Sequence, residues 1–208
     1  MSRRIVFEDR LPTNIRLVAG VDVAYAGDFS IGAVTVLKCG KLDLQESKTA
    51  LCRTRMPYIP TLLSFREILP IASSINKLTV QPDLFLVDGH GFAHPYRCGL
   101  ASHLGLVIGK PTIGVAKHRL FGKVENERLD EDVAYLKHNG ETIGAVVTTK
   151  PCSKPIYVSI GHMTSLRTAI RIVKKCLRDN RIPYPLLKAH EAATMEKRKI
   201  HIKSEINS

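Results

Sequence analysis

Residues 16–25, RLVAGVDVAY, constrain the fold more than any other stretch. They are apolar at both parities of a strand, the pattern of a strand covered on both faces, and only Asp22 breaks it. A lone carboxylate costs several kcal/mol to bury unless it is paired or bound to metal. Asp22 therefore calls for a partner, either one of the many arginines or a cation. A second apolar run, 84–87, ends on Asp88 and passes at once into Gly89-His90-Gly91. A carboxylate at the carboxyl end of a buried strand, followed by glycines, is where open α/β sheets place their chemistry.

Between these runs the pattern predicts a three-strand antiparallel meander. Gly27-Asp28 turns strand 16–25 into 31–37, and Gly40 turns that into 41–51. Met56-Pro57-Tyr58-Ile59-Pro60 reads as a stiff loop, because two prolines fix φ and exclude helix before them. A helix follows, with Leu62, Phe65, Leu69, Ala72 and Ile75 as its expected inward stripe and Pro70 as an expected kink. Glu67 lies beside that stripe, as either a surface acid or a third site carboxylate. The change to strand–helix units predicts that strand 84–87 pairs in parallel with the first strand, bringing Asp22 and Asp88 together. Oxygen-only ligation of this kind selects Mg²⁺ or Mn²⁺ over zinc. His90 and His94 are four apart, but the intervening glycines oppose the helix that zinc motifs of that spacing need.

Further on, 97–108 reads as a helix with Leu100, Leu104 and Val107 inward, stopped by Gly109. Residues 112–116 form a strand ending at Lys117, which either pairs a carboxylate or offsets phosphate charge. Residues 118–140 read as charged, irregular loops. Segments 141–148 and 155–160 pair around a 150–154 turn. Thr164 or Ser165 caps an amphipathic helix whose outer face carries Arg167, Arg171, Lys174, Lys175 and Arg178. Tyr184-Pro185 opens a last helix bearing His190, and the charged tail 196–203 is expected to fray. The length of 208 residues fits one domain, 1–208, acting as a monomer.

Lys+Arg 31 against Asp+Glu 19 gives a net charge of +12, spread along the chain rather than confined to a tail. That is either a solvated basic surface or a face for a polyanion. Aromatic residues are 6% and Trp is absent, which disfavours a stacking platform for single strands. No apolar run reaches the roughly 18 residues of a membrane span, and no secretory leader precedes the first strand, so a cytoplasmic protein is expected. The cysteines Cys39, Cys52, Cys98, Cys152 and Cys176 have no CxxC spacing, so a thiolate zinc site is not indicated.

VAGVDVAY (18–25), MPYIPTLLSFRE (56–67), PDLFLVDGHGFAHPYRCGLASHLGL (82–106), KPTIGVAKHRL (110–120), YVSIGH (157–162) and the AH of 189–190 together resemble the endonuclease V family. The resemblance runs from about Val18 to Ala193. It implies an α/β, ribonuclease H-like fold: a mixed central sheet of the meander plus parallel strands, flanked by helices. It also implies Mg²⁺-dependent cleavage, with Mn²⁺ as substitute, of the second phosphodiester 3′ to deoxyinosine. The family's metal carboxylates fall on Asp22, Glu67 and Asp88, and two further catalytic positions on Lys117 and His190. Tyr58, flanked by Pro57 and Ile59, falls on a wedge that fills the gap left by a displaced base. Gly89, Gly91 and His94 fall on the loop around that base. Two positions depart from the family pattern: Thr61 stands where Gly is frequent, and Ile160 where Pro is commoner. An inosine-RNA ribonuclease of the same fold, and a non-catalytic basic nucleic-acid-binding domain, are the rival readings.

Overall fold

A computed structural model describes residues 1–150 and 153–206, without the side chains of 126–128, 201 and 203–206. Residues 151–152, which carry Cys152 and part of the expected 150–154 turn, lie outside the described residues. After a 3-10 turn at Ser2–Arg4, the meander forms as β1 (Leu17–Ala26), β2 (Phe29–Lys38) and β3 (Leu44–Arg53). It is antiparallel throughout, with Asp22 opposite Ala33. β4 (Leu84–Asp88) adds to β1 in parallel, in a register that pairs Val21 with Val87. Asp83 fixes that register: its carboxylate accepts the N–H groups of Arg16 and Leu17 at 2.7 and 2.9 Å, while its own N–H donates to the Leu17 carbonyl. β5 (Thr112–Ala116) continues the parallel part.

Four antiparallel strands complete the nine-stranded sheet: β6 (Lys123–Asp130), β7 (Val133–His138), β8 (Glu141–Val147) and β9 (Ile156–His162). The spatial order is β3-β2-β1-β4-β5-β9-β8-β7-β6. β6 and β7 occupy the segment that reads as irregular loop. Lys123, Glu125, Asn126, Glu127, Arg128 and Asp130 hide the strand signal, because β6 is an edge strand whose outer positions need no apolar residue.

Two helices cover each face. α1 (Leu63–Ile75) and α2 (Leu100–Ile108) pack on Ala19, Val21, Val34, Phe85 and Val87. α3 (Leu166–Lys175) and α4 (Tyr184–Ile206) cover the alternate residues, Val18, Leu84, Leu86, Ile113 and Val115. Ser165 caps α3 by accepting the Thr168 N–H, and Asp9 accepts the Ser165 N–H at 2.6 Å. The tail expected to fray is helical as far as Ile206. Gly109 ends α2 at φ +63°, the left-handed conformation that favours glycine.

The inward stripe of α1 is not the one its apolar spacing suggests. Phe65 and Leu69 are 54% and 42% exposed, while Ser64, Glu67, Ile71 and Ser74 are buried. Val107 of α2 is likewise exposed, against expectation. The cause in α1 is how closely the helix lies on the sheet: a Cβ on Gly32 would stand 2.1 Å from the Pro70 carbonyl oxygen. The face of α1 turned inward is then the one holding Ser64, Glu67, Ile71 and Ser74, and Phe65 and Leu69 turn outward. Gly20 makes the matching approach on the other face, where a Cβ would stand 2.1 Å from the Pro185 carbonyl oxygen. Gly32→Ala is expected to cost about 2–3 kcal/mol, since backbone rather than a flexible side chain must move. A lowered urea midpoint with an unchanged denaturant slope checks this.

Candidate active site

The parallel register carries β1 and β4 to adjacent ends. Asp22 and Asp88 follow the Val21–Val87 pair and continue the alternation that turns Leu84 and Leu86 toward α3 and α4. Glu67 comes from α1, on the opposite face of the sheet, and is 8% exposed. The three acids sense one another. Burial and then the Asp88 charge hold the Asp22 carboxyl above the usual carboxylate range, although His190 and the Val23 N–H oppose this. Burial pushes Glu67 up to about 7; the Tyr25 hydroxyl works against the shift, while Asp22 and Asp88 add to it.

Each carboxylate is turned to its own donor. The Tyr25 hydroxyl donates to Glu67 Oε1 at 2.8 Å. Lys117 Nζ donates to Asp88 Oδ2 at 2.6 Å, from the end of β5. His190 Nδ1 lies 2.8 Å from Asp22 Oδ2, from α4, while Asp22 Oδ1 accepts the Val23 N–H. In this arrangement, among the described residues, no three His, Cys, Asp or Glu side chains are disposed to hold a metal ion. The donor set nevertheless suits a hard cation. It consists of acid oxygens whose burial, and then whose mutual repulsion, disfavour the charged forms of Asp22 and Glu67, and a cation would offset both.

Beside the acids opens a cavity of about 360 Å³ lined by Tyr58, Asp88, Gly89, His94, Leu100 and Lys117, among others. Tyr58 stands at its edge, 64% exposed. Pro57 and Ile59 are exposed on the same loop but do not line the cavity. Gly91 does not line it either; a Cβ there would stand 2.1 Å from the Ile160 carbonyl oxygen. The Gly89 N–H donates to the Val115 carbonyl and the Gly91 N–H to Ser159 Oγ, so both amides are engaged. His94 Nδ1 accepts the Tyr96 N–H at 3.2 Å, and the ring lies close enough to the Thr61 backbone for that backbone to favour its charged form. Its position ties the Tyr58 loop to the loop after β4. His90 Nε2 lies 2.9 Å from the His118 carbonyl, which leaves the buried Nδ1 without a partner.

Three neighbours escape a reading of the sequence. Tyr25 holds Glu67, and the Arg66 guanidinium lies 4.2 Å from the centre of the Tyr25 ring. Arg181 Nη2 donates to the carbonyls of Lys117 and Pro155, tying the ends of β5 and β9. Tyr25 at the open end of the Asp22 strand and Arg66 beside Glu67 were available signals. Arg181 left none, because its partners are backbone groups distant in sequence.

A ribonuclease H-like α/β sheet with acids at the ends of its central strands defines the class. The endonuclease V family model matches residues 1–191. Endonuclease V of Thermofilum pendens is 43% identical over 195 residues, 93% of this chain and 83% of that protein. Its counterpart in Dictyoglomus turgidum is 42% identical over 191 residues, 91% of this chain and 83% of that protein. The endonuclease V structure from Streptomyces avermitilis superposes with a TM-score of 0.89 at 33% identity, over 96% of this chain and 90% of that one. A Ciona intestinalis endonuclease V, solved with a 23mer DNA containing an inosine followed by a ribo-adenosine, gives 0.83 at 30% identity, over 96% and 93%. The chain belongs to the endonuclease V family, a family of nucleases.

The raised Glu67 pKa has a consequence for stability. The folded chain keeps on Glu67 a proton that an unfolded chain releases near 4.5. Stability from this group is therefore full below about 4.5 and is lost as pH rises through about 7. Glu67→Gln is expected to melt close to wild type at pH 5 and several degrees higher at pH 8 in chelator, on the order of 3 kcal/mol. Thermal melts across that pH range test it; a gap independent of pH contradicts the raised pKa.

Proposed function

We propose that the protein is a Mg²⁺-dependent endodeoxyribonuclease that hydrolyses the second phosphodiester 3′ to a deoxyinosine, leaving 3′-hydroxyl and 5′-phosphate ends. The observation that carries this reading is the meeting of Asp22, Glu67 and Asp88 at one end of the sheet, beside a cavity edged by an exposed tyrosine. The Ciona intestinalis relative with inosine-containing DNA supports the substrate. The net charge of +12 supports a nucleic-acid partner.

Asp22, Glu67 and Asp88 would hold the cation. When bound, it supplies an acidified water and neutralises charge on the leaving oxygen. The remaining work falls to the chain. Lys117 exchanges its bond to Asp88 for the scissile phosphate and offsets charge developing there. His190, anchored to Asp22 through Nδ1 and 60% exposed at its side chain, presents its other nitrogen to solvent and can orient a water or move a proton. A displaced hypoxanthine enters the cavity, and Tyr58 fills the gap it leaves in the stack. Hypoxanthine pairs weakly, so its extrusion costs less than that of a normal base, on the order of a few kcal/mol.

End-labelled inosine duplex, incubated with and without Mg²⁺, tests the reading and maps the cut. Asp22→Ala and Asp88→Ala are each expected to lose cleavage by about a thousandfold while still binding inosine DNA; full activity in either removes the metal-site account. Tyr58→Ala is expected to weaken lesion binding about tenfold or more with a smaller effect on the single-turnover rate. An unchanged dissociation constant counts against the wedge. Parallel assays on inosine RNA decide between DNA and RNA preference.

A further inference from the structure

The base cavity has a neighbour. A second cavity, of about 450 Å³, lies across Thr61, Ser64 and His94, which line both spaces. Phe65, Tyr96 and His103 form other parts of its wall. Phe65 and Tyr96 are 54% and 65% exposed, large rings left in water beside a concavity. Neither ring is loose. Phe65 meets His103 edge-on with centroids 5.2 Å apart, and Tyr96 leans on His94 at 5.7 Å.

The partition between the cavities is fixed as well. Thr61 is held at φ +68°, a left-handed conformation that a β-branched residue adopts only when its surroundings impose it. The packing of His94 beside Thr61 in the shared wall is one such constraint. Both imidazoles are kept from charging by burial. Flat, uncharged rings suit the face of a base rather than a phosphate, which the basic surface elsewhere would take.

We propose that this second cavity takes the unpaired base next to the displaced one, stacked against Phe65 and Tyr96, so that the protein binds inosine in single-stranded or frayed nucleic acid more tightly than in fully paired duplex. The proposal rests on reading the first cavity as the site of the displaced base. Two such cavities sharing one wall match two successive nucleotides, and only a strand free of its complement can offer both bases.

The test uses the full chain in chelator, with single strands carrying 2-aminopurine immediately 5′ or immediately 3′ of deoxyinosine. One of the two probes is expected to change fluorescence on binding. Tyr96→Ala and Phe65→Ala should each abolish that change and weaken single-strand binding about tenfold, and duplex binding less than twofold. Tyr96→Phe should behave as wild type, and the backbone N–H that holds His94 survives in every variant. Inosine-dependent binding with neither probe perturbed, or equal losses on single strand and duplex, overturns the second subsite alone. Absence of inosine-dependent binding by the wild type overturns the displaced-base reading and this one with it.

Discussion

The parallel pairing of β1 with β4 is the contact on which the rest depends. It joins strands more than fifty residues apart, and Asp83 locks its register through two backbone N–H groups and one carbonyl. A slip of one residue would turn Asp22 to the face of α1 and α2 and separate it from both Asp88 and His190. The close approaches of Pro185 to Gly20 and of Pro70 to Gly32 then seat α4 and α1 at fixed heights. Those heights deliver His190 from one face and Glu67 from the other. Packing of backbone against backbone thus sets where charge meets charge.

The acids sit together at a cost. Asp22 and Glu67 are both harder to ionise than in water, chiefly through burial and then through their neighbours' charge. A tyrosine, a lysine and a histidine each satisfy one oxygen and make the cluster tolerable. These contacts are lone hydrogen bonds or single-point ion pairs, which a competing cation or phosphate can exchange. Strain gathers in the same region. Thr61 keeps a positive φ at the junction of the Tyr58 loop and α1, a conformation that glycine would adopt at no steric cost. Left-handed conformations held against their intrinsic cost are characteristic of ligand-binding loops.

Much of this was legible in the residues. The meander, the strand ending at Asp88, the strand ending just before Lys117 and the Ser165 cap all follow from local pattern, because each is set by burial parity, turn residues or a single side chain. β6 lies at the edge of the sheet, where strands need little apolar character, and β7 beside it fully buries only Val133 and Leu136. Phe65, Leu69 and Val107 are apolar residues that face solvent, so hydrophobic spacing misplaced parts of two helices. Gly91 packs against Ile160 with its amide on Ser159 and does not reach the cavity, whereas His94 lines it while its Nδ1 holds the Tyr96 N–H.

By itself the sequence singled out the acids whose burial the fold has to compensate, since an acid in an otherwise apolar strand must find compensation wherever the chain goes. It also determined the family, through motifs spread over most of its length. Only the tertiary structure decided what compensates each acid: Tyr25, Lys117 and His190 lie 42, 29 and 168 residues from their partners. Such pairings are fixed by strand register and helix height, global properties of the packed sheet that no local pattern encodes.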